Sequence, residues 1–163
     1  MPPGPMKELK NGAPALDSEV KATSETANSA LKKETATHLE NIVRAQADAV
    51  NSRQILVDDS AFTSHCTADF VHLATPPWLC ESSTLQETLD RLKRTFVEDP
   101  EYRMVITDLN TEIIGGHWAR VFLSFEAHGH PPGMIRPFMA IHRFRKDDGQ
   151  WKLYAIESTT GVL

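Results

Sequence analysis

The stretch FEAHGHPPG, Phe125–Gly133, sets Glu126, His128 and His130 at alternate positions and then meets two prolines. A carboxylate and two imidazoles at that spacing admit three chemistries. Two imidazoles on one strand face could share a metal ion. A carboxylate beside an imidazole could hold its pKa near neutrality and move protons. The same residues could also be wet polar groups at a strand end, with Glu126 paired to Arg120 or Arg136. The metal reading lacks ligands, because the next acid after His130 is Asp147, and His130 falls in a turn between Gly129 and Pro131-Pro132. No metal is expected. Glu126 and His128, about 6 to 7 Å apart at their bases on one face of an extended strand, are the expected proton-transfer pair.

Three further residues carry titratable groups inside apolar runs. His72 lies between Val71 and Leu73, Asp108 interrupts YRMVITDLN, and His142 follows Ile141. Each has a structural reading beside the catalytic one: a hydrogen-bonded core histidine, a polar residue at a strand end, and a cross-strand partner. Two cysteines, Cys66 and Cys80, make neither a disulfide framework nor a C-x-x-C arrangement and are expected to be reduced and partly buried. Phosphate-cradling loops and Gly-x-Gly-x-x-Gly are absent, so the sequence carries no nucleotide-binding signature.

The elements that must position these groups follow from periodicity. Thr37 and Glu40 read as a capping box, and Leu39, Ile42, Val43, Gln46 and Val50 recur at helical spacing, with Gln46 interrupting the apolar stripe. A shorter helix is predicted around Val57, Ala61, Phe62 and His65. A third, opened by a box of Ser83 and Gln86, carries Leu85, Leu89, Leu92 and Phe96 and stops before Pro100. DFVHLATPPW predicts a short strand with Phe70 and His72 on one face. From Tyr102 the period becomes two in YRMVITDLNTEII, HWARVFLSFEAH, MIRPFMAIHRFRK and QWKLYAIEST, separated by turns at Gly115-Gly116, Gly129–Gly133 and Asp147–Gly149. Four such strands form an antiparallel meander. Both of its faces carry apolar residues, so both must be covered. Helices can cover one, and a homodimer through Val121, Leu123, Phe125, Met139, Ile141 and Leu153 is expected to cover the other.

The remaining composition narrows the class. The chain has 163 residues and a formal charge of −5. Met1–Glu34 holds five lysines and five acids and no aromatic residue, so the net charge belongs to residues 35–163. That composition predicts a disordered tail over residues 1–34, in which LDSEVKATSETANSALKKE can form a transient helix, and one domain over residues 35–163. Without a basic face no nucleic-acid partner is expected. Without an apolar run of about 18 residues or a secretory signal, no membrane partner is expected, and the location is expected to be cytoplasmic.

Helix, short helix, short strand, helix and a four-stranded meander ending in HRFRKDDGQWKLYAIEST resemble the nuclear-transport-factor-2-like superfamily, over Thr35–Leu163. The last hairpin is similar to that of its SnoaL-like polyketide cyclases and scytalone-dehydratase-like members. The resemblance implies an α+β cone: three N-terminal helices packed on a strongly curved antiparallel sheet, with an apolar pocket at the wide end. It places Phe70, His72, Met104, Ile106, Asp108, Arg120, Phe122, Ser124, Glu126, His128, Arg136, Phe138, Ala140, His142, Tyr154 and Ile156 toward that pocket. The dehydratase pattern is incomplete. Its Tyr-Asp pair falls on Val50 and Asn51, and of its two central histidines His128 matches one while Ile106 stands near the other. The function implied is a cofactor-independent cyclase, isomerase or dehydratase with His128, Glu126, His72 and Asp108 as acid/base candidates. Its substrate would be an apolar, oxygenated small molecule of polyketide or terpenoid type. The rival is a non-catalytic association module of the same fold.

Overall fold

The computed structural model describes residues 16–56, 60–75 and 82–160. Helix α1 (Leu16–Asn51) is followed by a 3-10 turn (Gln54–Leu56), strand β1 (Cys66–Thr75), a short β2 (Ser82–Thr84) and helix α2 (Leu85–Glu98). Then come β3 (Arg103–Ile114), β4 (Trp118–His128), β5 (Ile135–Asp147) and β6 (Gln150–Thr160). The chain divides into two compact units, Met1–Lys33 and Glu34–Leu163. The second holds the sheet, α2 and the part of α1 from Glu34 onward.

Two helix predictions change. Helix α1 begins at Leu16, so Thr37 and Glu40 lie in its interior, and Glu40 instead accepts a 2.9 Å hydrogen bond from the Thr111 hydroxyl on β3. Of the predicted second helix, Val57 lies outside the described residues, and Ala61–His65 are turns held by bonds such as Ser64 N–H to Ser60 O, 3.0 Å. The capping box of α2 sits one residue later than read, on Thr84 and Glu87. Thr84 Oγ1 accepts from Glu87 N–H at 3.2 Å, and Glu87 Oε2 accepts from Thr84 N–H at 2.7 Å. Gln46, which breaks the apolar stripe of α1 in sequence, is buried with it.

The four predicted long strands are present, within a six-stranded mixed sheet of order β2-β1-β6-β5-β4-β3. Strand β1 runs parallel to β6, with His72 beside Ile156, and antiparallel to β2, with His72 beside Ser83. A crossover that includes α2 makes the parallel pairing possible, because no hairpin can join parallel neighbours. The inner face carries Ala119, Val121, Leu123, Phe125 and Ala127 from β4, with Ala140 and Phe144 from β5 and Leu153 and Ile156 from β6. It packs on Leu39, Ile42, Val43 and Val50 of α1. Each large side chain fully buried there contributes about 1.5 to 3 kcal/mol.

This parity corrects the expected dimer surface. Val121, Leu123, Phe125 and Leu153 are interior, while the outer face presents Trp118, Phe122, Met139 and, half-buried, Ile141. Two irregularities reset the register of the antiparallel strands, and a third lies in the parallel pairing of β1 with β6, between Cys66 and Val71. Between Ile106 and Asp108 the β3 pairing shifts by one residue, and a second shift lies between Arg143 and Phe144, opposite Leu153–Ala155.

The division at Lys33 leads to a direct expectation. Deleting Met1–Lys33 should shift the melting temperature of the domain by less than about 5 °C, equivalent to roughly 1 to 2 kcal/mol at this size. The shortened helix keeps the Thr37-x-x-Glu40 pattern near its new start. Calorimetry showing a larger drop would mean that the first unit stabilises the second.

Candidate active site

Between the C-terminal half of α1, α2 and the inner sheet face lies a cavity of about 250 Å³. Its wall is mostly apolar, from Val43 and Val50 on α1, Leu92 on α2, and Leu123, Phe125 and Phe138 on the sheet. Against that wall stand a few polar groups: Gln46, Thr88, Arg91, Thr95, Ser158 and three histidines, His72, His130 and His142.

Sheet register places two of the histidines. His72 on β1, Ile156 on β6 and His142 on β5 are successive neighbours across three strands and share the inner face. His72 Nε2 lies 2.8 Å from the Ser158 hydroxyl, while its Nδ1 is buried without a partner among the described residues. His142 is buried, and its Nδ1 also has no partner among the described residues. Burial drives both toward the neutral imidazole. His72 is lowered to about 4, by burial and then by the charge of Arg91, and His142 to about 3, by burial and then by His72. A third wall atom, Gln46 Oε1, is buried and unpartnered, although Gln46 Nε2 donates to Phe62 O at 3.3 Å.

The third histidine comes from a turn. Gly129 has φ +72, and a Cβ there would stand 2.8 Å from Glu101 O, so only glycine lets the end of β4 pass so close to the chain before β3. The next residue, His130, precedes a cis peptide bond to Pro131. Its Nδ1 pairs with the Asp99 carboxylate, and its ring meets Tyr102 edge-on at 5.7 Å. Asp99 is the C-cap of α2, and its carbonyl accepts from Tyr102 N–H at 2.9 Å. Burial pushes the Tyr102 phenol up to about 12, so it stays protonated.

The residues expected at the pocket divide. His72, Met104, Phe138, Ala140, His142 and Ile156 line the cavity. Phe70 is buried in the core, and Ile106 packs against it, without lining the cavity. Strand β4 is turned the opposite way from expectation: Leu123, Phe125 and Ala127 form the wall, while Arg120, Phe122, Ser124, Glu126 and His128 alternate with them on the other face. Glu126 and His128 do meet, at 2.8 Å, but outside the cavity and beside Arg103, whose Nη2 lies 3.5 Å from His128 Nδ1. The register shift after Ile106 sends Asp108 outward to pair with Ser124, where it is exposed. Tyr154 faces away, its ring 5.6 Å from Trp118. Arg136 lies 5.6 Å from the Phe138 ring and does not line the cavity.

His130 is in the turn as expected, yet it reaches the cavity. The reading that gave it no role missed Asp99, 31 residues away, as well as Gln46 and Arg91. Arg91 had a sequence signal: it lies three residues after Thr88 and four before Thr95, on the face of α2 adjoining Leu92. Among the described residues no three His, Cys, Asp or Glu side chains gather as a metal would require, and no helix is long and apolar enough to cross a membrane. Cys66 donates its thiol to Phe62 O at 3.2 Å, and burial raises its pKa to about 12, which makes it a poor nucleophile. Cys80 lies outside the described residues.

No family model matches the chain, and no curated protein does. Solved structures do. The hexachlorocyclohexane dehydrochlorinase LinA-type3 from Novosphingobium barchaimii LL02 superposes with a TM-score of 0.64 at 12% identity, over 81% of this chain and 88% of that one. An NTF2-like protein from Cytophaga hutchinsonii gives 0.61 at 15% identity, over 77% and 97%. A ketosteroid isomerase-like protein from Erwinia carotovora atroseptica gives 0.59 at 16% identity, over 80% and 98%.

The buried neutral histidines make stability pH-dependent. The unfolded imidazoles titrate near 6.5, above folded values of about 4 for His72 and about 3 for His142. Below pH 6.5 the unfolded chain therefore binds more protons, and stability present above 6.5 falls as pH drops toward 3 to 4. At pH 5 each group removes up to about 2 kcal/mol. Urea melts at pH 7.5 and 5.0 should show that loss in the wild type and a smaller one in His142→Gln. An equal loss in both would free His142 of responsibility.

Proposed function

From the NTF2-like fold of this chain, we propose that the protein is an enzyme that moves a proton on one small, apolar, oxygenated molecule held in the cavity. The observation that carries this reading is His130, an imidazole at an apolar cavity whose Nδ1 is engaged by a buried carboxylate, Asp99. Asp99 accepting from Nδ1–H leaves Nε2 as the basic nitrogen and stabilises the imidazolium that forms when Nε2 takes a proton. Neutral His72 and His142 can donate an N–H to the substrate oxygen on which charge develops. The mostly apolar wall lowers the local dielectric, which strengthens those bonds. The proton removed by His130 is then available to return elsewhere on the same molecule, for isomerisation or cyclisation, or to a leaving hydroxyl, for dehydration.

The finer reading, a polyketide- or terpenoid-type substrate, comes from the resemblance to SnoaL-like and scytalone-dehydratase-like proteins and belongs to this proposal. So does the transfer of the proton-moving role from His128 and Glu126, which lie outside the cavity, to His130 and Asp99.

A second reading has its own observation. Trp118 is 49% exposed, Phe122 37% and Met139 57%, all on the outer sheet face. A second copy of the chain covering them would make this face an association surface, compatible with the enzymatic reading or standing in place of it.

Deuterium exchange at carbon, followed by NMR in D2O over a panel of small cyclic and aromatic ketones, tests the first reading. Wild type should exchange an α-proton of at least one ketone, and His130→Gln should slow this about 100-fold or more, with the melting temperature little changed. Exchange unaffected by His130→Gln, or none with any ketone, would sink it. For the second reading, sedimentation at micromolar concentration should show a dimer that Met139→Glu splits. A wild-type species of 18.2 kDa alone rules the dimer out.

A further inference from the structure

We infer that the ligand of this cavity is a monoanion, an apolar body bearing one carboxylate, and that Arg91 selects it. The inference rests on the small-molecule reading of the cavity and adds the charge of its occupant.

Among the described residues that line the cavity there is no aspartate or glutamate, and Arg91 is the one side chain with a permanent charge. The guanidinium reaches the wall from α2 and donates to the Ser83 hydroxyl. No ion pair joins Arg91 to a carboxylate among the described residues. Glu87, four residues earlier and within the influence of its charge, is held at the helix cap by Thr84 at 2.7 Å and 3.0 Å. Arg91 is half-buried, and where its guanidinium meets the apolar wall an arriving anion would offset what solvent no longer supplies.

Sheet register shows where the anion would sit. Ser83, His72, Ile156 and His142 are successive neighbours across β2, β1, β6 and β5. Arg91 thus stands at one end of a row that continues into two imidazoles, and its charge is close enough to lower the affinity of His72 for a proton. The unpartnered Nδ1 of His72 completes the set. If Ser158 donates to Nε2, then Nδ1 carries the hydrogen and needs an acceptor. A carboxylate held by Arg91 supplies one, and its planar oxygens suit the guanidinium. One cation and one or two neutral donors match a single negative charge; a phosphate dianion would call for more. Gln46 Oε1, an acceptor on α1, would repel the carboxylate and instead suits a hydroxyl of the same ligand.

Cyclohexanecarboxylate and its neutral isostere cyclohexanecarboxamide make the test, with binding measured by calorimetry at pH 7.5. Wild type should bind the carboxylate about tenfold or more tightly than the amide, as a charge-assisted bond in an apolar site allows. Arg91→Met should remove that preference, Arg91→Lys should keep part of it, and Glu126→Gln, which lies outside the cavity, should leave it intact. Equal or tighter binding of the amide by wild type, a comparison needing no variant, overturns the anion inference while the small-molecule reading stands. A preference that survives in folded Arg91→Met overturns it as well. Binding of neither compound at millimolar concentration counts against both.

Discussion

Arg53 closes the corner on which the site is built. It follows α1 with φ 64, a left-handed conformation that costs a non-glycine residue of order 1 kcal/mol. From there its guanidinium donates to Val50 O at 3.1 Å, Pro100 O at 2.9 Å and Tyr102 O at 2.8 Å, and it lies 4.0 Å above the Phe96 ring. One side chain thereby ties the end of α1, the end of α2 and the approach to β3. Asn51 adds to it by pairing with Met104 as a strand would, its Nδ2 donating to Met104 O at 2.8 Å and its Oδ1 accepting from Met104 N–H at 2.7 Å. Asp99 precedes one of the carbonyls Arg53 holds, and Tyr102 supplies the other. The carboxylate and ring that meet His130 are therefore positioned by hydrogen bonds whose loss would leave polar groups unsatisfied, at about 1 to 3 kcal/mol for each that is buried.

In the same corner the residues matching a Tyr-Asp pair in the resembled dehydratases are engaged by the fold. Val50 is packed in the core, and Asn51 spends its amide on the backbone of β3. A carboxylate stands at the end of α2, where Asp99 is both the helix C-cap and the partner of His130.

Much of the frame was legible because it depends on local chemistry. The apolar spacing of α2, the period-two runs from Tyr102 onward and the turn glycines each determine an element from a few neighbouring residues. The start of α1 was hidden because a capping box inside a longer helix looks the same in sequence as one at its beginning. Pairing at a distance was hidden too: nothing near FEAHGHPPG announces that Gly129 passes Glu101 closely enough to deliver His130 to Asp99. The shift after Ile106 was invisible for a related reason, since a bulge leaves the composition of a strand unchanged while exchanging its faces.

The orientation of β4 is different, because its signal was present and was outweighed. Arg120, Ser124, Glu126 and His128 alternate with Val121, Leu123, Phe125 and Ala127, and alternation alone assigns the second set to the core. Turning the first set inward, as the resemblance suggested, would have buried an arginine, a glutamate and a histidine from one strand against α1, where desolvation is not offset by partners. Beside the hydroxyls of Thr88, Thr95 and Ser158, the amide, guanidinium and imidazole groups at the cavity come from five separate elements: Gln46 from α1, Arg91 from α2, His72 from β1, His142 from β5 and His130 from a turn. Four of the five bring a protein partner, namely Phe62 O, Ser83, Ser158 and Asp99. His142 is the exception, and burial strips it of its charge. An apolar wall takes in such groups a few at a time and mostly with partners, so a run of polar residues on one strand marks the face that water keeps.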